Sequence, residues 1–179
     1  GSPLNPMAAF RELDDWVHSR GGSVNGVEAR EGPSGDRGLF ATRPLSPGEV
    51  IMRLPENILI TGQSARAVPH VAAVLRAVEE DKLEDSLDEL ANCDKDTVAM
   101  VLFLLAEAVM DNGSFRPWID SLPKQFYTPI TVPEATIESN LRGSFVLTFA
   151  LEVRAELETL YEQFIVPYAI ERFEHVYPM

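Results

Sequence analysis

The residues with the strongest claim to chemistry lie in the stretch from Ser34 to Thr61, SGDRGLFATRPLSPGEVIMRLPENILIT, which opens on Gly35-Asp36-Arg37-Gly38. Two glycines bracketing an acid and a base allow positive φ and let a ligand press against bare backbone. Backbone N–H and C=O groups in such a loop could hold an adenine edge, and carbonyl dipoles favour a cationic group such as a sulfonium. The plainer alternative is a hairpin turn whose glycines meet turn geometry, and residue types alone favour that one.

Little else in the chain competes. His18, His70 and His175 are far apart, and none has a carboxylate or cysteine at metal-ligand spacing, so no metal site is expected. The run EEDKLEDSLDE has the spacing of a solvated helix face rather than of a calcium loop. The single cysteine, Cys93, excludes a disulfide framework, and its apolar company (Leu90, Ala91, Val98) reads as a half-buried structural thiol. No G-x-S-x-G elbow, P-loop or G-x-G-x-x-G occurs. A net charge of −13 argues against nucleic acid, because there is no basic excess to displace counterions. The longest apolar run, Val98 to Met110, is interrupted by Glu107 and too short to span a bilayer. The opening GSPLNPM is read as a cloning remnant ahead of a start at Met7, and an intracellular protein, cytoplasmic or nuclear, is expected.

The elements that must position the loop follow from periodicity. Phe10, Leu13, Trp16 and Val17 share one face of a helix that stops at Gly21-Gly22. Between Val27 and Thr61 the runs VEARE, GLFATR, EVIMRL and NILIT predict short strands, with LSPGE as a tight turn. From Ser64 onward the pattern is helical, with Pro69 in a first turn. KLEDSLDELANC places Leu83, Leu87 and Leu90 on one stripe. Asp94 to Asn112 is apolar on most faces and should be the central buried helix. Thr131-Val132-Pro133-Glu134 has the form of a capping box opening a short helix that ends near NLRGS. A last helical segment, Phe145 to Tyr177, should be kinked or divided at Pro167. The class is therefore α+β: a small antiparallel β cluster followed by a mostly helical region. So small a sheet cannot bury both faces unaided.

The series GDRGLFATRPLSPGEVIMRLP, PENILIT, VLFLLAEAV, SFRPWIDSLP and LRGS resembles the opening of SET domains, and within them the split RuBisCO large-subunit methyltransferase type. The similarity runs, with gaps, from about Phe10 to Tyr177. It implies residues 7–144 as an N-terminal SET portion and 145–179 as the start of a helical insertion, with the rest of the domain beyond this chain. It also implies S-adenosylmethionine as cofactor, contacted mainly through backbone by Gly35, Asp36, Arg37, Gly38 and Leu39, with Arg37 nearest the ligand. Trp118, Leu122 and Pro123 are implied as packing residues. The partner would be a protein bearing a lysine or, as the lesser alternative, a histidine to be methylated.

One departure is large. The family's Asn-His motif is absent from all 179 residues, and Tyr161, Tyr168 and Tyr177 lie in insertion sequence, so no catalytic residue is expected in this chain. The competing expectation is a non-catalytic SET-like interaction module that self-associates, as a homodimer or by strand exchange, through open β edges.

Overall fold

The computed structural model describes residues 6–32, 37–81 and 94–178. Contacts divide the chain into two units, Gly1–Leu59 with Asp111–Leu122, and Ile60–Met110 with Pro123–Met179.

The first unit begins with helix α1, Pro6–Ser19. Its Ala9 and Val17 are buried, with Phe10, Leu13 and Trp16 half-buried beside them, the stripe that a 3.6-residue period requires. The helix ends as expected at the glycine pair. Gly21 takes φ of +88°, and the Gly21 and Gly22 amides donate to the His18 and Val17 carbonyls at 3.0 and 2.9 Å. Those two bonds satisfy carbonyls that the last turn leaves unpaired.

Strand β1, Ser23–Val24, follows at once, then β2, Val27–Glu31, β3, Arg37–Ala41, and β4, Met52–Arg53. They form two antiparallel ribbons, β1 with β4 and β2 with β3. Between β3 and β4 the LSPGE turn forms, with the Glu49 amide donating to the Ser46 carbonyl at 3.1 Å and Gly48 at φ +81°. Proline and then a positive-φ glycine at its centre are what a type II turn demands. Arg43 and the Ser46 amide hold the Glu49 carboxylate, the Arg43 hydrogen bond being the main cause that keeps it below its ordinary range.

The β expectation holds for VEARE and GLFATR and shortens elsewhere. EVIMRL contributes only Met52–Arg53 to the ladder, with one further bond from the Asn25 amide to the Ile51 carbonyl at 2.8 Å. NILIT forms no strand. Pro55, without an amide to give a ladder, precedes a 3-10 turn at Glu56–Ile58 that buries Ile58. Helix α5, Arg116–Ser121, packs on α1, and Trp16 Nε1 donates to the Ser114 carbonyl at 3.0 Å.

The second unit is helical. Helix α2, Gly62–Arg66, is opened by a reciprocal box between Thr61 and Ser64, and α3, Pro69–Glu80, has Pro69 in its first turn. Helix α4, Lys95–Val109, is capped by Asp94, whose side chain accepts from the Thr97 amide at 2.7 Å. It is central, burying Val98, Ala99, Leu102, Phe103 and Ala106, yet Leu105 and Val109 remain exposed and it stops short of Asn112. The run KLEDSLDELANC, with Leu83, Leu87, Leu90 and Cys93, lies outside the described residues.

Helix α6, Glu134–Leu141, lacks the expected capping box. Pro133 occupies the cap position, and the Thr131 hydroxyl instead donates to the Phe126 carbonyl and accepts from the Thr128 amide. Helix α7, Phe145–Leu160, runs into a π-helical segment, Tyr161–Ile170, that contains Pro167. An α-helical Pro167 would clash with the carbonyl four residues back. The wider π register absorbs it, so the chain changes pitch where a kink is expected. Asp81, just after α3, accepts from the Tyr168 hydroxyl and from Arg172 at 2.8 and 2.7 Å, tying the π segment to α3. Among the described residues no helix is long and apolar enough to cross a membrane.

Among the described glycines of the first unit, Gly22 has the tightest surroundings. A Cβ there would stand 2.6 Å from Val17 Cγ1 and 3.0 Å from the carbonyl oxygens of Val17 and Arg53. Gly22→Ala is expected to destabilise the protein by about 1–3 kcal/mol, the usual cost of forcing an atom into filled space. Urea unfolding followed by circular dichroism measures it.

Candidate functional site

Five ladder pairs build the hairpin: Val27↔Ala41, Glu28↔Phe40, Ala29↔Leu39, Arg30↔Gly38 and Glu31↔Arg37. Side chains alternate across such a ribbon. Val27, Ala29, Glu31, Arg37 and Leu39 therefore share one side, and Glu28, Arg30, Gly38 and Phe40 the other. Val27 and Ala29 are half-buried on the side that meets α1, while Glu28 and Arg30 are exposed. Of the five residues expected to hold a cofactor, Arg37, Gly38 and Leu39 open β3, and Gly35 and Asp36 lie outside the described residues.

Arg37 anchors the hairpin rather than reaching into open space. Its Nη1 donates to the Ser121 carbonyl at the end of α5 at 2.9 Å, and its Nε lies 3.7 Å from Glu31 Oε1. The guanidinium stands 5.5 Å from the Phe10 ring centroid of α1. One cation thus binds the strand to both helices of its unit. Phe10, Glu31 and Ser121 are the residues that sequence reasoning missed. Ser121 could not have been found by spacing, since 84 residues separate it from Arg37.

Gly38 is different. It sits in the ladder without positive φ, and a Cβ there would meet only Phe40 Cε2, at an ordinary 3.6 Å among the described residues. The positive φ that a glycine allows is not used at Gly38, because pairing with Arg30 keeps it in strand conformation. Among the described residues nothing requires a glycine there. Glycine inside a strand weakens it and commonly marks a place where a ligand or another backbone comes close. Beside it the Arg30 guanidinium stacks on the Phe40 ring at 4.2 Å, with Glu28 3.5 Å from Arg30. Leu39, on the opposite side, is 55% exposed. The site offers bare backbone flanked by an aromatic–cation stack.

The histidines stay apart. His18 Nδ1 lies 2.8 Å from the Asp14 carbonyl, His175 stacks on Phe173 at 6.4 Å, and His70 is packed against Tyr177. Among the described residues no three of His, Cys, Asp and Glu gather as a metal site. Trp118, Leu122 and Pro123 are each half-buried.

No family model matches the sequence. Curated relatives do: the actin-histidine N-methyltransferase of Xenopus tropicalis is 28% identical over 130 residues, covering 72% of this chain and 20% of that protein. The human protein of the same description is 29% identical over 126 residues, covering 70% and 19%. The chain thus spans about a fifth of the length of the curated relatives it matches. Among solved structures, the SET domain of LSMT bound to methyllysine and AdoHcy superposes with a TM-score of 0.75 at 18% identity, over 99% of this chain and 36% of that one. Rubisco LSMT bound to AdoMet superposes with a TM-score of 0.70 at 20% identity, over 98% and 37%. The α+β fold is that of part of a SET domain, and sequence and fold agree on the resemblance to the RuBisCO large-subunit methyltransferase type.

Arg37→Ala removes the bond to Ser121, the Glu31 contact and the Phe10 stack together. It is expected to lower stability by about 1 kcal/mol, the net worth of one such hydrogen bond. Chemical denaturation of the variant beside the wild type checks this.

Proposed function

We propose that this chain, a SET-domain relative of the RuBisCO large-subunit methyltransferase type, carries one wall of an S-adenosylmethionine site in a protein N-methyltransferase. The wall is the β2–β3 hairpin, with Gly35, Asp36, Arg37, Gly38 and Leu39 meeting the cofactor mainly through backbone. Gly38 is the observation that supports this most. It is a strand glycine without positive φ, and among the described residues a Cβ there would meet only Phe40, on an otherwise side-chain-bearing face. The engagement of Arg37 with Ser121 and Glu31 agrees with a backbone role for that residue, its side chain positioning the strand.

Bound S-adenosylmethionine would supply a methyl group on a sulfonium. This chain's part is to present N–H and C=O groups at a fixed register and keep one side of the ligand out of water. The acceptor is a nitrogen on a protein side chain, which must be unprotonated and in line with the methyl. Names of the curated relatives favour histidine, and the lysine-containing complexes of the fold neighbours favour lysine. No residue of this chain is assigned to the transfer step, since the sequence contains no Asn-His pair.

A second reading is the non-catalytic module that self-associates. The exposed Leu39, Leu45, Val50 and Leu54 around two narrow ribbons favour it. Sedimentation velocity separates the readings by concentration-dependent dimerisation.

Calorimetric titration of S-adenosylmethionine into the wild-type chain and Gly38→Val tests the first. Saturable binding is expected in the wild type, weakened at least about tenfold in the variant. Because valine replaces glycine in a strand, the variant should be no less stable, and could gain about 0.5 kcal/mol. A folded wild type that gives no binding, or a variant that binds as well, would overturn the assignment of the hairpin.

A further inference from the structure

Among the described residues, the second unit buries two polar atoms without a hydrogen-bond partner, His70 Nε2 and the Tyr177 hydroxyl. They belong to neighbouring rings, 5.9 Å apart and nearly perpendicular at 76°. Tyr177 is only 3% exposed, and its phenol is pushed well above its ordinary pKa by burial. Interior polar groups are almost always paired, so an adjacent orphan pair calls for an explanation.

His70 occupies the second position of α3, whose twelve residues present their positive end to it. That end disfavours an imidazolium. Burial acts in the same direction and is the larger cause holding the His70 pKa below 6.5, with Glu107 of α4 opposing it. Of the other elements packed on α3, the π segment also carries Glu162, and the remaining groups named here have partners away from His70. Arg66 of α2 is paired with Asp96, Tyr168 of the π segment donates to Asp81, and Arg172 is bound to the same carboxylate. In the terminal turn, His175 stacks on Phe173, and the Val176 and Tyr177 amides both donate to the Phe173 carbonyl at 2.8 and 2.9 Å.

We propose that His70 and Tyr177 form a pH-sensitive latch: the turn Phe173–Tyr177 is seated on α3 while His70 is neutral and is released when His70 takes up a proton. The seated state binds fewer protons than the released one, because its histidine has the lower pKa. Its stability is therefore fully present above the ordinary imidazole pKa of about 6.5 and is lost as pH falls toward the depressed value. Release lets the imidazolium and the phenol reach water together.

Amide hydrogen exchange on the full chain, corrected for the intrinsic pH dependence of exchange, reads the latch at Val176 and Tyr177. Protection of these two amides should fall several-fold between pH 7.5 and 5.5, while Leu102 in α4 keeps its own. His70→Gln should abolish that difference, and Glu107→Gln should move the transition to lower pH. If His70→Gln fails to fold, the wild-type His70 ring titrated by NMR decides instead. A midpoint below 6.5 that tracks the loss of protection supports the latch. A midpoint at or above 6.5, or an unchanged pH response in the variant, overturns it.

Discussion

The register of the β2–β3 ladder is the constraint on which the candidate site depends. With Glu31 opposite Arg37, the guanidinium lies on the side that meets α1, within reach of Phe10, Glu31 and the Ser121 carbonyl. A slip of one residue would carry every β3 side chain to the other face. Gly38 would then lie toward the helices, Phe40 would leave Arg30, and the flat surface beside Arg30 would be filled by Leu39 or Arg37. Two narrow ribbons have little cross-strand pairing with which to resist such a slip. The Arg37 bonds compensate for that shortage, so a residue that reads as a ligand contact serves first as a register pin.

The second unit solves a different problem. Its helices are joined by caps that satisfy their own ends, Thr61 with Ser64 and Asp94 with Thr97. Space between α2 and α4 is tight enough that a Cβ on Gly62 would fall 2.2 Å from Asp96 Cγ. Asp96 pairs with Arg66 across this approach, so an exposed ion pair sits where two helices come closest. Surface pairs of this kind contribute little by themselves. Burial along Val71, Val74, Val78, Leu102 and Phe103 carries the packing, and the π segment adds Phe164, Ile165 and Ala169 to the unit's core.

A backbone-lined site of the proposed kind would suit an acidic protein and a ligand that carries a positive sulfur. Carbonyl groups attract the cation without adding a titratable group, so binding through them is insensitive to pH near neutrality. Glu28, Glu31 and the chain's overall charge of −13 point the same way. The price is that no side chain announces the site, and recognition from residue types alone favours an ordinary turn.

Local chemistry was legible in the sequence wherever it acts within a few residues. The α1 stripe and its glycine stop, the Pro47-Gly48 turn, Pro69 in a first turn, and the Asp94 cap are all decided by neighbours along the chain. The order of motifs also carried the family resemblance and the α+β class. Tertiary structure decided what depends on distant partners. It shortened EVIMRL to two ladder residues opposite β1, and turned NILIT into a 3-10 turn beside Pro55. The Thr131 hydroxyl went to Phe126 and Thr128 instead of a cap, and the segment around Pro167 became π-helical. Arg37 and Ser121 meet, as do His70 and Tyr177, across separations that no periodicity encodes. Periodicity reports which face of an element is apolar; it does not report what that face meets, and the side-chain roles at this site are set by what they meet.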